Sequence, residues 1–361
     1  MLKNRFFRTL LLVVLGSLYS SSFYSQFIKN DSLNVLFIGN SYTHMNNMPG
    51  IFDKIAKAKG KLVHVEKNTQ SGASFQVHST RLDLFRTINS KHWDFIVLQG
   101  YSRELTYSPS HIDSASVPFI NQIIDSIKLN NSCTNLLLYN TWGYKFGFIE
   151  REEVNTYEKM QDSINARYLY LSKKYNIPIV PVGMVWKNVL KLNPQLNLYN
   201  EDKEHPNKIG SYLVACTFYA AIFKDSPEGV ITSTISSKHA KLVQKEAYKY
   251  VSAHYERLNL SLNTSTINAF RTSDVKYVLE CRSNYPTANC IMWEFDDGSY
   301  SNAANPIHLY KKPGRYKVRL YIDDECGERI FDKKVFYSKP KKPKKPVNSA
   351  PVVSPTTKKK I

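Results

Sequence analysis

Four short stretches of this 361-residue chain carry groups that could attack, relay a proton and stabilise a developing charge. In Gly39-Asn40-Ser41 a hydroxyl stands directly after a wholly apolar run, 35–38, and helix-competent sequence resumes at Ile51. A serine at such a strand-to-helix turn is held at the carboxyl edge of a sheet, with its backbone N–H free to face a substrate oxygen. In Asp202-Lys203-Glu204-His205 a carboxylate precedes an imidazole by three residues. A tight turn puts the two side by side, so that the carboxylate can fix the ring tautomer and stabilise the imidazolium. Gly72 lies in the turn Gln70-Ser71-Gly72-Ala73-Ser74, where the missing Cβ lets the backbone approach an oxyanion. Gln99-Gly100-Tyr101-Ser102 closes a further apolar run and offers a side-chain amide. Together these groups could carry out nucleophilic acyl transfer.

The elements that must position them alternate. Short apolar runs at 35–38, 62–65, 93–98, 135–139 and 177–182 read as strands. Helical spacing is read at 48–60, 112–129, 153–175, 184–191, 207–223 and 239–258. Five strands separated by helices predict an α/β domain, an open parallel sheet with helices on both faces. Trp142 and Tyr144, after the fourth strand, either line a sugar-binding cleft or pack at its rim.

Ser41, Gly72, Gln99, Asp202 and His205 occur in an order and in contexts that resemble the SGNH, or GDSL-like, hydrolases over roughly residues 33–223. The resemblance implies a flavodoxin-like sheet and a Ser41–His205–Asp202 triad. It also implies an oxyanion hole made by the backbone N–H groups of Ser41 and Gly72 and by a third donor. That donor is usually an asparagine in Gly-x-Asn-Asp. Here no asparagine is present, and aligning on Gly100 puts Ser102 at its place. Gln99 is taken as the donor, with Ser102 as the competing choice, in a divergent subgroup.

From about residue 274 the pattern changes to short alternating segments separated by turns such as Asp296-Asp297-Gly298 and Lys312-Pro313-Gly314. That predicts an all-β sandwich at 274–338. Trp293-Glu294-Phe295-Asp296-Asp297-Gly298, His308-Leu309-Tyr310 and Gly314-Arg315-Tyr316-Lys317-Val318 resemble a PKD domain, with Asp296 where that family usually has glycine. On that resemblance Trp293 and His308 are core or corner residues, not a catalytic pair. The polar stretch 259–273 reads as the linker behind a hydrolase domain at 30–258.

Residues 1–25 read as a secretory signal peptide. Lys3, Arg5 and Arg8 precede an apolar run at 10–15 and small residues from Ser17. The protein is therefore expected to be exported, to an extracellular, periplasmic or cell-surface location. The formal charge is +19. The leader holds three cations and no acid, and the Lys/Pro-rich tail from Lys339 holds eight and no acid, which leaves +8 for the body. A body of that charge suits acidic glycans or surfaces, and no nucleic-acid motif accompanies it. The tail, 339–361, cannot bury enough apolar surface to fold. It serves solubility or spacing, or binds an acidic wall polymer. Of five cysteines, one pair among Cys281, Cys290 and Cys326 suits a disulfide in an exported protein, its connectivity open. Cys133 and Cys216 read as buried apolar side chains.

The whole predicts an exported serine esterase that removes O-acyl groups, O-acetyl above all, from a carbohydrate, with no metal or organic cofactor. Carbohydrate enters here by association with export and the PKD-like module. The alternative is a surface-binding or adhesion protein that keeps the fold with little catalysis. A lipase or peptidase is the weaker third reading, since no lid-like apolar insertion is present.

Overall fold

The computed structural model of the protein describes residues 32–260, 266–271, 276–282, 290–303, 306–324 and 327–337. The expected signal peptide, the tail at 339–361 and Cys326 lie outside these residues, as do the side chains of Cys281 and Cys290. The chain divides into two compact units that meet at 264/265.

The first unit is built on β1, Leu33–Gly39. Val35 to Ile38 are each at most 1% exposed. Burying a side chain of that kind stabilises by roughly 1.5–3 kcal/mol, so this run anchors the sheet. β1 pairs in parallel with β2, Val63–Thr69, and with β3, Phe95–Leu98. β3 pairs with β4, Asn135–Tyr139, and β4 with β5, Ile179–Val180. The strand order is β2-β1-β3-β4-β5, all parallel. The order reverses between β1 and β3, and a crevice outside the carboxyl ends of the strands is expected there. The helix Lys208–Phe223 is buried on nearly every face and packs against the helices Met48–Ala58 and Ser237–Ala253. Phe37 meets Phe52 and Phe218 edge to face, at 5.6 and 5.0 Å between ring centroids.

Several boundaries differ from expectation for identifiable reasons. β2 runs on to Thr69 through polar residues, because it is an edge strand whose outer positions can face water. β5 is two residues long, because prolines flank it: Pro178 lacks an N–H, and Pro181 caps the helix Val182–Leu192. The helix expected over 112–129 is two, Pro109–Ala115 and Val117–Asn130, with Pro118 starting the second at a break on Ser116. The helices Phe75–Ser79 and Leu82–Ile88 were too short and irregular to read. Beyond the last helix the chain returns to the sheet. Leu258 and Leu260 are buried in the core, and the Leu258 carbonyl accepts from the Ile179 N–H at 2.9 Å. The stretch 259–273 is thus not all linker. It begins inside the first unit and ends in strand β6, Thr266–Arg271. Cys216 is buried and free, as expected. Cys133 is not: it is half-buried and disulfide-bonded.

The second unit holds two antiparallel sheets. One is ordered β10-β7-β6, with β7 Lys276–Arg282 and β10 Ile307–Leu309. The other is β12-β11-β8-β9, with β8 Cys290–Glu294, β9 Tyr300–Ser301, β11 Gly314–Asp324 and β12 Gly327–Tyr337. Trp293, Phe295, Tyr310, Val318 and Leu320 are buried. Asp296, at the usual glycine position, has φ of 63° and accepts the Lys317 N–H at 2.9 Å. Aspartate is among the few residues other than glycine that tolerate that left-handed backbone. His308 stacks on Phe295 and bonds Asp297 at 2.9 Å, which makes it a corner residue.

Candidate active site

β1 ends in a turn that only glycine can start. A Cβ on Gly39 would lie 2.5 Å from Gln99 Oε1 and would also strike Thr43 Oγ1. Asn40 then caps the short helix Ser41–His44, its Oδ1 accepting the Tyr42 N–H at 3.0 Å. The Asn40 side-chain amide donates to the carbonyls of Ala73 and Gly100, each at 3.2 Å. One residue thus ties the ends of β1, β2 and β3 together. Ser41 is the first helical residue. Its backbone N–H has no protein partner among the described residues and sits in the positive first turn.

The imidazole comes from the far end of the unit. Tyr199 and Pro206 form an antiparallel bridge, and the Asn200 N–H donates to the His205 carbonyl at 2.8 Å. Asn207 caps the helix that follows. Within this loop Asp202 Oδ1 accepts the N–H groups of Glu204 and His205, both at 2.9 Å. Its Oδ2 lies 2.8 Å from His205 Nδ1. His205 Nε2 in turn lies 2.8 Å from Ser41 Oγ, across 164 residues of sequence. Partial burial pushes the Asp202 carboxyl up, but those two N–H groups and the His205 ring outweigh it and hold the carboxyl below its ordinary range. The carboxylate stays ionised and faces Nδ1, which leaves Nε2 facing the Ser41 hydroxyl.

Aromatic packing and one asparagine fix the two loops against each other. Tyr42 stacks on Trp142 at 4.3 Å, and Trp142 stacks on Trp186 at 4.4 Å. The Trp142 indole N–H donates to the Glu204 carbonyl at 2.9 Å. The His205 ring stands edge-on to Tyr42 at 5.4 Å. Asn46, at φ of 52°, donates to the Pro206 carbonyl at 3.0 Å and to Ser211 Oγ at 2.9 Å. Trp142 is fully buried and so belongs to rim packing, whereas Tyr144 lines the cleft.

The oxyanion side departs from expectation at one residue. Gly72 has φ of 70° in a turn closed by the Ala73 N–H on the Gln70 carbonyl at 3.1 Å, and it lines the cavity beside Ser41. Gln99 does not line the cavity. It is fully buried, with Oε1 accepting the Asn40 N–H at 2.9 Å and the Thr43 hydroxyl at 2.8 Å. Its amide donates to the Gly100 carbonyl. A turned amide would set its NH2 against the Asn40 N–H and its oxygen against the Gly100 carbonyl, so the amide is held in this orientation. Gln99 therefore braces the Ser41 turn, and its amide is not available as the expected oxyanion donor. Ser102 does line the cavity, with its Oγ 2.8 Å from the Tyr144 hydroxyl.

The cavity has a volume of about 510 Å³ and brings together Ser41, Gly72, Ser102, Tyr144, Asp202 and His205. His44 also faces it. Burial first, then the charges of Lys67 and His205, lower the His44 imidazole from its ordinary value. Behind the Gly72 and Ser102 loops lies Glu104. It accepts the Tyr101 N–H at 2.9 Å, the Phe75 N–H at 3.2 Å and the Ser116 hydroxyl at 3.1 Å. Burial raises its carboxyl despite these donors. Asn46 and Glu104 were not picked out from sequence, nor was the role of Asn40 in tying the strand ends together. Only Asn46-Asn47 carried a readable signal there, since consecutive asparagines favour left-handed backbone. Among the described residues no cluster of His, Cys, Asp or Glu is set to hold a metal, and no helix is long and apolar enough to cross a membrane.

Residues 282–335 match the family model of the PKD domain. A 37-residue stretch is 43% identical to collagenase ColQ1 of Bacillus cereus (strain Q1), and spans 10% of this chain but only 4% of that protein. Among solved structures, the chain is similar to a DUF4886 family protein from Bacteroides uniformis ATCC 8492. The TM-score is 0.54 and the identity 21%, over 61% of this chain and 95% of that one. It is also similar, more distantly, to the acetyl xylan esterase AlAXEase, with a TM-score of 0.41 and 17% identity over 53% of this chain and 100% of that one. The likeness at TM-score 0.54 shows a shared fold. An α/β domain with a parallel sheet is thus joined to a separate PKD-like β domain.

Proposed function

We propose that this chain is an exported serine ester hydrolase of the SGNH type that removes O-acyl groups, O-acetyl above all, from a carbohydrate. The observation that carries this reading is the unbroken relay Ser41 Oγ–His205 Nε2–His205 Nδ1–Asp202 Oδ2, with both links at 2.8 Å, opening on a cavity at the carboxyl edge of a parallel sheet. The order β2-β1-β3-β4-β5 supports the flavodoxin-like form of that sheet.

The chemistry follows from the geometry. His205 Nε2 takes the Ser41 proton as Oγ attacks the ester carbonyl. The carbonyl oxygen becomes an oxyanion held by the N–H groups of Ser41 and Gly72. The imidazolium, stabilised by Asp202, gives its proton to the leaving alcohol, and Ser41 is left acylated. Water, deprotonated by His205, then attacks the acyl carbon and releases the acid and free Ser41. No step calls for a metal or organic cofactor. The PKD-like domain and the basic tail would hold the enzyme at a polymeric or cell-surface substrate, in keeping with export.

The test is release of acetate from a panel of acetylated glycans, with p-nitrophenyl acetate as the small ester. Acetate release that vanishes in Ser41→Ala supports the reading. No turnover on any ester, or turnover unchanged in Ser41→Ala, overturns it.

A further inference from the structure

With Gln99 enclosed, Tyr101 and Ser102 line the cavity wall after β3. The Tyr101 hydroxyl accepts from the Arg103 guanidinium at 2.7 Å, whereas the Ser102 hydroxyl is paired across the cavity wall. Ser102 Oγ and Tyr144 OH are 2.8 Å apart, both residues line the cavity that holds Ser41, and each is 7% exposed. The two oxygens share one hydrogen bond, so one of the two protons must point elsewhere. A phenol is the more acidic hydroxyl and the better donor, whereas an alcohol oxygen is the better acceptor. Tyr144 thus donates to Ser102. Burial raises the Tyr144 phenol, so it keeps its proton. Ser102 then keeps its own proton for another acceptor, and a hydroxyl that is already accepting is a stronger donor. No other protein group engages the Ser102 hydroxyl among the described residues. Its place on the chain, three residues beyond the sheet end that carries the Gln99 brace, sets it across the same cavity from the Ser41 turn.

We infer that Ser102 donates the third oxyanion hydrogen bond, with Tyr144 as the positioning residue that polarises its hydroxyl and aims it into the cavity. This inference rests on the ester-hydrolase reading above. A side-chain amide at the strand end is replaced by a two-hydroxyl relay, one member from the loop after β3 and the other from the loop after β4. In the ground state the ester oxygen is only weakly held by this donor. As the carbonyl becomes an alkoxide the bond shortens and strengthens, so the contribution falls on turnover rather than on binding.

The experiment compares Ser102→Ala, Ser102→Thr, Tyr144→Phe and the double variant Ser102→Ala/Tyr144→Phe in the full-length protein on p-nitrophenyl acetate, with Ser41→Ala alongside. Inhibition by a phenylboronic acid, a mimic of the tetrahedral state, is measured for each. Ser102→Ala is expected to lower kcat by ~10²–10³ with KM little changed, and to weaken boronate inhibition by a similar factor. Tyr144→Phe should lower kcat by about tenfold. Ser102→Thr, which keeps the hydroxyl, should recover most of the loss, and the double variant should be no worse than Ser102→Ala. Wild-type kcat in Ser102→Ala, or independent losses that multiply in the double variant, overturns the assignment. Loss in Ser41→Ala with none in Ser102→Ala defeats this inference and leaves the hydrolase reading standing, whereas no loss in Ser41→Ala defeats the reading itself.

Discussion

The carbonyl oxygen of the Gln99 side chain accepts the backbone N–H of Asn40 at 2.9 Å, one residue ahead of Ser41. The same oxygen takes the Thr43 hydroxyl at 2.8 Å, so a single buried amide closes the turn that presents Ser41. Gln99→Ala would leave the Asn40 N–H without its partner, and an unpaired buried donor costs about 1–3 kcal/mol. The expected result is a lower thermal midpoint together with a fall in kcat, since Ser41 loses its brace. Gln99→Glu keeps an acceptor but places a second oxygen against the Gly100 carbonyl, and should be destabilised as well. A thermal midpoint unchanged in Gln99→Ala would contradict the bracing role.

Gly39 makes the same turn possible from the other side. Its missing Cβ leaves room for Gln99 Oε1 and Thr43 Oγ1. Gly39→Ala should destabilise by about 1–3 kcal/mol, as overpacking in a core does, and should lower kcat more than it changes KM. Denaturant unfolding and steady-state kinetics check this. Wild-type stability would show that the turn has slack that the geometry does not suggest.

Trp142 couples the helix Ser41–His44 to the loop of His205 through its stack on Tyr42 and its bond to the Glu204 carbonyl. Trp142→Phe keeps part of the stack and loses the hydrogen bond, so its stability loss should be near 1 kcal/mol. Trp142→Ala should cost ~3–5 kcal/mol. Both should reduce kcat in step with the loosening of Asp202 and His205. Calorimetry with kinetics on the two variants tests the coupling, and full activity in Trp142→Ala would refute it.

Acid should loosen the Gly72 side of the cleft. His78, fully buried in the helix that follows the Gly72 turn, has its imidazole lowered to about 4, by burial first and then by the Arg81 charge. The unfolded chain binds that proton near pH 6.5, so between about 6.5 and 4 the unfolded state holds more protons than the native one. Stability therefore rises with pH across this window and falls as pH drops through it. The full shift corresponds to roughly 3 kcal/mol as an upper figure. His78→Gln should flatten the decline of the thermal midpoint between pH 6.5 and 4. An equally steep decline in that variant would assign the acid lability to other groups.

The parallel sheet and the pairing of Asp202 with His205 were legible because both rest on local signals. Continuous apolar runs mark buried strands such as β1, and Asp202 and His205 share one turn. The different surroundings of Gln99 and Ser102 were not legible in that way. Gln99 and Ser102 lie three residues apart at one strand end, and either could donate. What separates them is the partner each meets from other loops: the Asn40 N–H for Gln99 and the Tyr144 hydroxyl for Ser102. The same holds for Glu104, whose acceptors are taken by groups from three different segments. Polar residues that serve long-range backbone groups carry no periodicity. β6 escaped for a related reason, since its sequence, Thr266-Ile267-Asn268-Ala269-Phe270-Arg271, is as polar as a linker.

The central claim is that Ser41 is a nucleophile activated by His205. A fluorophosphonate probe reports this without any choice of natural substrate, because it forms a covalent bond only with a serine whose proton has a base to go to. Mass spectrometry of the labelled, digested protein should place the phosphonyl adduct on Ser41. Labelling should be abolished in Ser41→Ala and slowed by several orders of magnitude in His205→Ala. An unlabelled Ser41 in the folded wild-type protein, or labelling that persists unchanged in His205→Ala, would contradict the account.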